Sequence, residues 1–122
     1  MIAGIGTDII QVERIKRAIE KETLKLKVFS AREIEYCDKD KSGESYAARA
    51  AGKEAFFKAL GTGWRDKMGI SEVEILNDEL GKPFIELSGE TLKVFERKGG
   101  GRIHISLSHT KENAVAFVII EQ

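Results

Sequence analysis

The chain has 122 residues, 42% of them hydrophobic, and 20 basic side chains against 20 acidic ones. That size and apolar content fit one packed domain over residues 1–122 and exclude a disordered chain, while zero net charge gives no support for nucleic-acid binding. The lone cysteine, Cys37, excludes an internal disulfide, zinc-type ligand spacing is absent, and no apolar run is long enough to span a bilayer, so a cytoplasmic protein with no membrane attachment is expected.

The first segment, Ile2 to Ile10, is predicted as a strand and not a signal peptide, because it carries Gly4, Gly6 and Asp8 and no basic leader. Gly4, Gly6, Asp8 and Ile10 share one face with Ile2, and the glycines clear space there for a backbone or a ligand. Val12, Ile15 and Ile19 then recur at helical spacing. Residues 13 to 27 hold six basic side chains against three glutamates, either a solvated face or a docking surface for an acidic protein. Ser30 with Glu33 forms a capping-box pattern ahead of a short helix over 31–37. The acidic residues between 33 and 44 are expected to face solvent.

Residues 47 to 63 read as one alanine- and phenylalanine-rich helix stopped by Gly61, a residue suited to the left-handed position after the last turn. Into its apolar surface it sets Arg49, Lys53, Glu54 and Lys58, with Arg49 and Lys53 four apart and Glu54 and Lys58 four apart. Those charges are either two exposed pairs or groups that bind something charged. Trp64 to Ser71 reads as an irregular connection. Val73 and Ile75, then Phe84 to Leu87, alternate as half-buried strands. Ser88 can cap a helix carrying Leu92 and Phe95, which three glycines end. Arg102 to Ser108 alternates strictly, His109 to Asn113 is a turn, and Ala114 to Ile120 is apolar enough for a strand buried on both faces. The order β-α-α-α-β-β-α-β-β predicts an α+β fold, a largely antiparallel sheet packed against a long central helix.

Asp8, the Glu54–Lys58 pair and His109 are ionisable groups in apolar or glycine-rich surroundings. Each has an ordinary structural role open to it: a helix cap for Asp8, a hydrogen bond for His109. Assembled, they would offer two carboxylates, a lysine and a histidine. Two carboxylates without a histidine or cysteine cluster suit Mg²⁺, which keeps waters and bridges to phosphates. Lys53, Lys58 and Arg49 would then hold the remaining phosphate charge.

The stretches GIGTDIIQVERI (4–15), ARAAGKEAFFKALGTG (48–63), GKPFI (81–85) and ISLSHTKENAVAFVI (105–119) together resemble the holo-acyl-carrier-protein synthases, the small single-domain phosphopantetheinyl transferases. Ala50 and Gly52 depart from the family's usual look, where a bulkier residue and an alanine are expected. The resemblance implies transfer of the 4′-phosphopantetheine arm from coenzyme A to a serine of apo acyl carrier protein, releasing adenosine 3′,5′-bisphosphate. It implies Asp8 and Glu54 as Mg²⁺ ligands and Lys58 as the group that neutralises or protonates the leaving phosphate. It further implies His109, Thr110 and Arg49 as coenzyme A contacts, Pro83 as a wall of the nucleotide site and Arg14 as a carrier-protein contact. A homotrimer with active sites between subunits is implied as well. Two other readings stay open: a non-catalytic module that docks an acidic protein through residues 13–27, and a Mg²⁺-dependent nucleotide phosphohydrolase.

Overall fold

A computed structural model describes residues 1–63 and 68–122. In chain order the elements are β1 (Ile2–Gln11), α1 (Val12–Ala18), α2 (Glu22–Val28), α3 (Ala31–Cys37), α4 (Glu44–Leu60), a 3₁₀ turn (Ile70–Glu72), β2 (Val73–Asn77), β3 (Pro83–Leu87), α5 (Gly89–Arg97), β4 (Arg102–His109) and β5 (Asn113–Glu121). The expected α+β class holds. β5 runs between β1 and β4 in an antiparallel sheet, and β2 with β3 forms a separate antiparallel hairpin. Of the irregular connection expected at Trp64 to Ser71, residues 64–67 lie outside the described residues; its end forms the 3₁₀ turn.

α2 is additional to the expected order. Its apolar residues Leu24, Leu26 and Val28 alternate, which hides a helical period, and Lys21 at its N-cap makes no side-chain cap. α3 forms as expected: the Ser30 side chain accepts from the Glu33 N–H while Glu33 accepts from the Ser30 N–H. Ser88 occupies the N-cap position of α5 but makes no side-chain cap there. Glu72 does that work instead, accepting from the N–H groups of Glu90 and Thr91 at 3.2 and 3.1 Å.

α4 crosses the inner face of the sheet. Its contact with β1 is backbone to backbone: a Cβ on Gly4 would collide with the Ala59 carbonyl, and one on Gly6 with the Ala55 carbonyl. The space expected beside these glycines is thus filled by a helix. Gly52, costly in mid-helix by about 1 kcal/mol relative to alanine, admits the side chain of Ile75, which a Cβ would strike. Gly61 ends the helix at φ +87°, in the expected left-handed conformation. Phe56, Phe57, Ala116 and Val118 are buried in the core between helix and sheet.

Two expectations fail. β5 is buried on one face only: Ala114, Ala116 and Val118 are covered, whereas Val115 and Phe117 are exposed. On the same outer surface Ile5 and Ile9 are 59% and 65% exposed. Cross-strand register pairs Ile5 with Ile119, Thr7 with Phe117 and Ile9 with Val115, so these side chains make one continuous apolar face. Glu33, expected in solvent, is fully buried.

Candidate active site

β1 delivers Asp8 beyond its two glycines, on the face that meets α4. Because the glycines let the helix backbone touch the strand, the next side chains along α4 meet Asp8 at close range. The Lys58 ammonium donates to Asp8 Oδ1 at 2.9 Å and to the Thr7 carbonyl at 3.0 Å. Asp8 is not a helix cap, since Gln11 holds that position at α1 and no side chain caps it. Asp8, Glu54 and Arg14 line one cavity of about 470 Å³, walled elsewhere by apolar side chains including Ile15, Phe29 and Ile70. Ala50 also lines it, so the small residue at that position leaves room.

Burial, and secondarily the charge of Asp8, hold the Glu54 carboxyl above its usual pKa, with Lys58 pulling the other way. Two carboxylates on two elements, repelling each other and only partly offset by one ammonium, form a site that a hard cation would relieve. The donors are oxygen only, and among the described residues no group of three His, Cys, Asp or Glu side chains gathers. That set fits Mg²⁺, which accepts one or two carboxylates and completes its shell with water and phosphate oxygens.

Arg14 also borders an adjoining groove with Arg17 and Lys21, so the basic face opens beside the carboxylates. The remaining predicted residues are placed elsewhere. Lys53 is fully buried and bonded to Glu33 and two carbonyls, which removes it from any ligand and corrects its expected phosphate-binding role. Arg49 is only 4% exposed. Its guanidinium donates to Asn77 Oδ1 and the Ser45 carbonyl, and lies 4.4 Å from the centre of the Tyr36 ring. These contacts hold it inside the fold, with its Nε left without a hydrogen-bond partner among the described residues. Pro83 begins β3 opposite Asn77, away from the cavity lining.

His109 Nδ1 lies 2.8 Å from Glu44 Oε1 at the start of α4. Thr110 shapes the β4–β5 turn, its hydroxyl accepting from the N–H groups of Glu112 and Asn113, each at 3.2 Å. Within one chain, then, Asp8, Glu54, Lys58 and Arg14 come together, while His109 and Thr110 stay at a distance, with β5 intervening between β1 and β4. Sequence reasoning missed Glu33 as the partner of Lys53. The capping box gave its position, but nothing nearby showed that the oxygen accepting from Ser30 also accepts from Lys53.

Fold and site together define a small α+β protein with an oxygen-donor centre, a flanking lysine and a basic rim, equipped for a phosphorylated ligand. Residues 4–118 match the family described as the 4'-phosphopantetheinyl transferase superfamily. The chain belongs to that superfamily, and within it to the holo-[acyl-carrier-protein] synthases. A synthase of that name from Ruminiclostridium cellulolyticum is 51% identical over 95% of this chain and 90% of its own length. One from Clostridium tetani is 48% identical over 99% and 97%. The crystal structure of the Neisseria meningitidis synthase covers all of both chains at a TM-score of 0.90 and 34% identity. The Bacillus anthracis synthase, solved in complex with CoA (3',5'-ADP), gives a TM-score of 0.81 at 36% identity over 98% of this chain and 96% of that one.

Proposed function

We propose that this enzyme transfers the 4′-phosphopantetheine arm of coenzyme A to a serine of an apo acyl carrier protein and releases adenosine 3′,5′-bisphosphate. The observation that carries the reading is the meeting of Asp8 from β1 with Glu54 from α4 on one cavity, with Lys58 one turn along α4 bonded to Asp8. In the reaction the serine oxygen bonds to the pantetheine-side phosphorus and the bond from that phosphorus to the bridging oxygen breaks. The serine proton is lost and negative charge develops on the departing phosphate. Asp8 and Glu54 would hold Mg²⁺, which supplies charge neutralisation and orientation at the diphosphate. Glu54, ionised above its raised pKa, is a candidate acceptor for the serine proton. Lys58 is half-exposed and so able to leave Asp8 for the phosphate oxygen that gains charge. Arg14 and the basic groove beside it orient the acidic carrier protein.

The protein works as a homotrimer in this reading, with active sites between subunits. The uncovered apolar face of β1 and β5 supplies the contact surface. A neighbouring subunit would bring His109 and Thr110 to the coenzyme, with Pro83 as a wall of the nucleotide site. Dilution to micromolar concentration in light scattering should return three times the 13.6 kDa chain mass, and a monomer mass would refute the assembly. A cytoplasmic setting belongs to the same reading, and the free, buried thiol of Cys37 is compatible with a reducing compartment.

Incubation with coenzyme A, Mg²⁺ and an apo carrier protein tests the function. The carrier must gain the mass of one phosphopantetheine arm. Breakdown of the nucleotide without a carrier would instead identify a phosphohydrolase, and binding without mass change a docking module. Asp8→Asn and Glu54→Gln should each abolish the metal dependence of coenzyme A binding with the fold intact.

A further inference from the structure

Lys53 and Glu33 form the only ion pair among the described residues with both side chains fully buried, at 2.7 Å. A lysine has three donors, and here three acceptors meet them: Glu33 Oε1, the Ile70 carbonyl at 3.3 Å and the Val73 carbonyl at 2.5 Å. Those two carbonyls bracket the 3₁₀ turn. Glu33 in turn accepts from the Ser30 N–H at 3.0 Å and, through its other oxygen, from the Ile75 N–H at 2.9 Å. One pair therefore joins α3, α4, the 3₁₀ turn and β2.

The ammonium also lies 5.6 Å from the centre of the Phe29 ring. Ile70 and Phe29, two groups that this lysine touches, wall the cavity that Asp8, Glu54 and Arg14 border. α4 is seated on β1 by the Gly4 and Gly6 contacts and does not depend on the pair for its register. The turn carrying Ile70 does depend on it, because it is held to α4 through these two carbonyls. The cavity is walled mainly by apolar side chains, with Asp8, Glu54 and Arg14 at its border, and it adjoins the basic groove of Arg14, Arg17 and Lys21, so an apolar side chain of an acidic partner can lodge there beside the reacting groups.

We infer that Lys53 and Glu33 are positioning residues for the carrier protein: the buried pair holds the Ile70–Phe29 wall in the shape that receives an apolar side chain of the carrier. This rests on the transferase reading above. Neither residue touches a reacting atom, so their loss should alter the Michaelis constant for the carrier and leave turnover alone.

The test is steady-state kinetics of the whole enzyme with apo carrier protein and coenzyme A varied separately. The double variant Glu33→Gln/Lys53→Met removes both charges together and keeps one acceptor oxygen, enough for either the Ser30 or the Ile75 N–H. It should raise the carrier KM by about tenfold, the scale of one misfitted apolar contact, with kcat and the coenzyme A KM within about twofold. Ile70→Ala should shift the same constant, and its combination with the double variant should add little, since both act on one wall. Glu33→Gln alone, which leaves the buried Lys53 charge without a counter-ion, should move the carrier KM in the same direction by at least as much. An unchanged carrier KM in any folded pair variant would overturn the inference, as would strict additivity with Ile70→Ala. A fall in kcat at constant carrier KM would overturn it too, by moving the pair's influence to Asp8 and Glu54. Wild-type enzyme that fails to modify the carrier would refute the proposed function instead.

Discussion

Lys53 and Lys58 stand little more than one turn apart on α4, and each is paired with a carboxylate from another element. Lys53 is fully buried and its three donors are spent on Glu33 and two backbone carbonyls. Lys58 is half-exposed and bonded to the Thr7 carbonyl and to Asp8, which lines the cavity. Burial decides the difference. A charge taken fully out of water must be matched on every side, and a matched charge has nothing left to offer a ligand. A charge left at a rim keeps much of its hydration and can exchange partners during a reaction. The same helix thereby supplies a bolt and, in the proposed reaction, a reagent.

The largest effect expected from breaking this contrast is on the buried side. Glu33→Ala leaves Lys53 as an uncompensated internal charge and should cost about 3–5 kcal/mol of stability. Denaturant unfolding measures it, and replacing both partners by apolar residues of similar volume should recover most of the loss. On the exposed side, Lys58→Ala should leave stability nearly unchanged and lower kcat by roughly ten- to a thousandfold. The Michaelis constant for coenzyme A should barely move, because the lysine acts where charge develops. Lys58→Arg should rescue only part of the rate, since guanidinium keeps its charge and does not give up a proton. Normal turnover in Lys58→Ala would make it a second structural lysine and erase the contrast.

A subtler effect concerns pH. Glu54 is held above the ordinary glutamate pKa of 4.5, first by burial and then by Asp8. A raised carboxyl pKa favours the folded state while the group is protonated. That contribution is present below about pH 4.5 and is lost as pH rises through the higher folded value. Metal-free wild type should therefore lose stability relative to Glu54→Gln on raising the pH through that window. Mg²⁺, which needs the ionised carboxylate, should bind more tightly over the same rise; urea unfolding and calorimetry across a pH series report both. Smallest of all is the exposed Arg17–Glu13 pair at 3.5 Å on α1. Glu13→Ala should stay within about 0.5 kcal/mol of wild type, a baseline for ion pairs that solvent screens.

The chain made much of this legible before any coordinates. Glycine spacing around Asp8 marked a close approach, and the four-residue step from Glu54 to Lys58 put both on one face. Alternation gave β4 and its inward residues. What stayed hidden depended on partners far along the chain. The capping box of Glu33 was local and legible, but nothing local says that the same carboxylate also pairs with a lysine twenty residues on, so the helix charges of Arg49 and Lys53 read as ligand groups. α2 was concealed by an alternating apolar pattern. β5 read as buried on both faces because the exposed Val115 and Phe117 continue the apolar run of its inner face without a polar break. Glu72 took the capping role of Ser88 because a carboxylate presented from a neighbouring turn can meet two N–H groups at once.

Gly4 and Gly6 carry a consequence for how mutation would be tolerated. They hold no charge and line neither the cavity of Asp8 and Glu54 nor the groove beside it, yet any side chain at either position drives into a helix carbonyl. The helix would be lifted off the strand, and Glu54 and Lys58 would be carried away from Asp8. A saturation library selected for activity should therefore score these two positions as intolerant as Asp8 itself. Alanine, the mildest substitution at most sites, should fare there no better than larger residues.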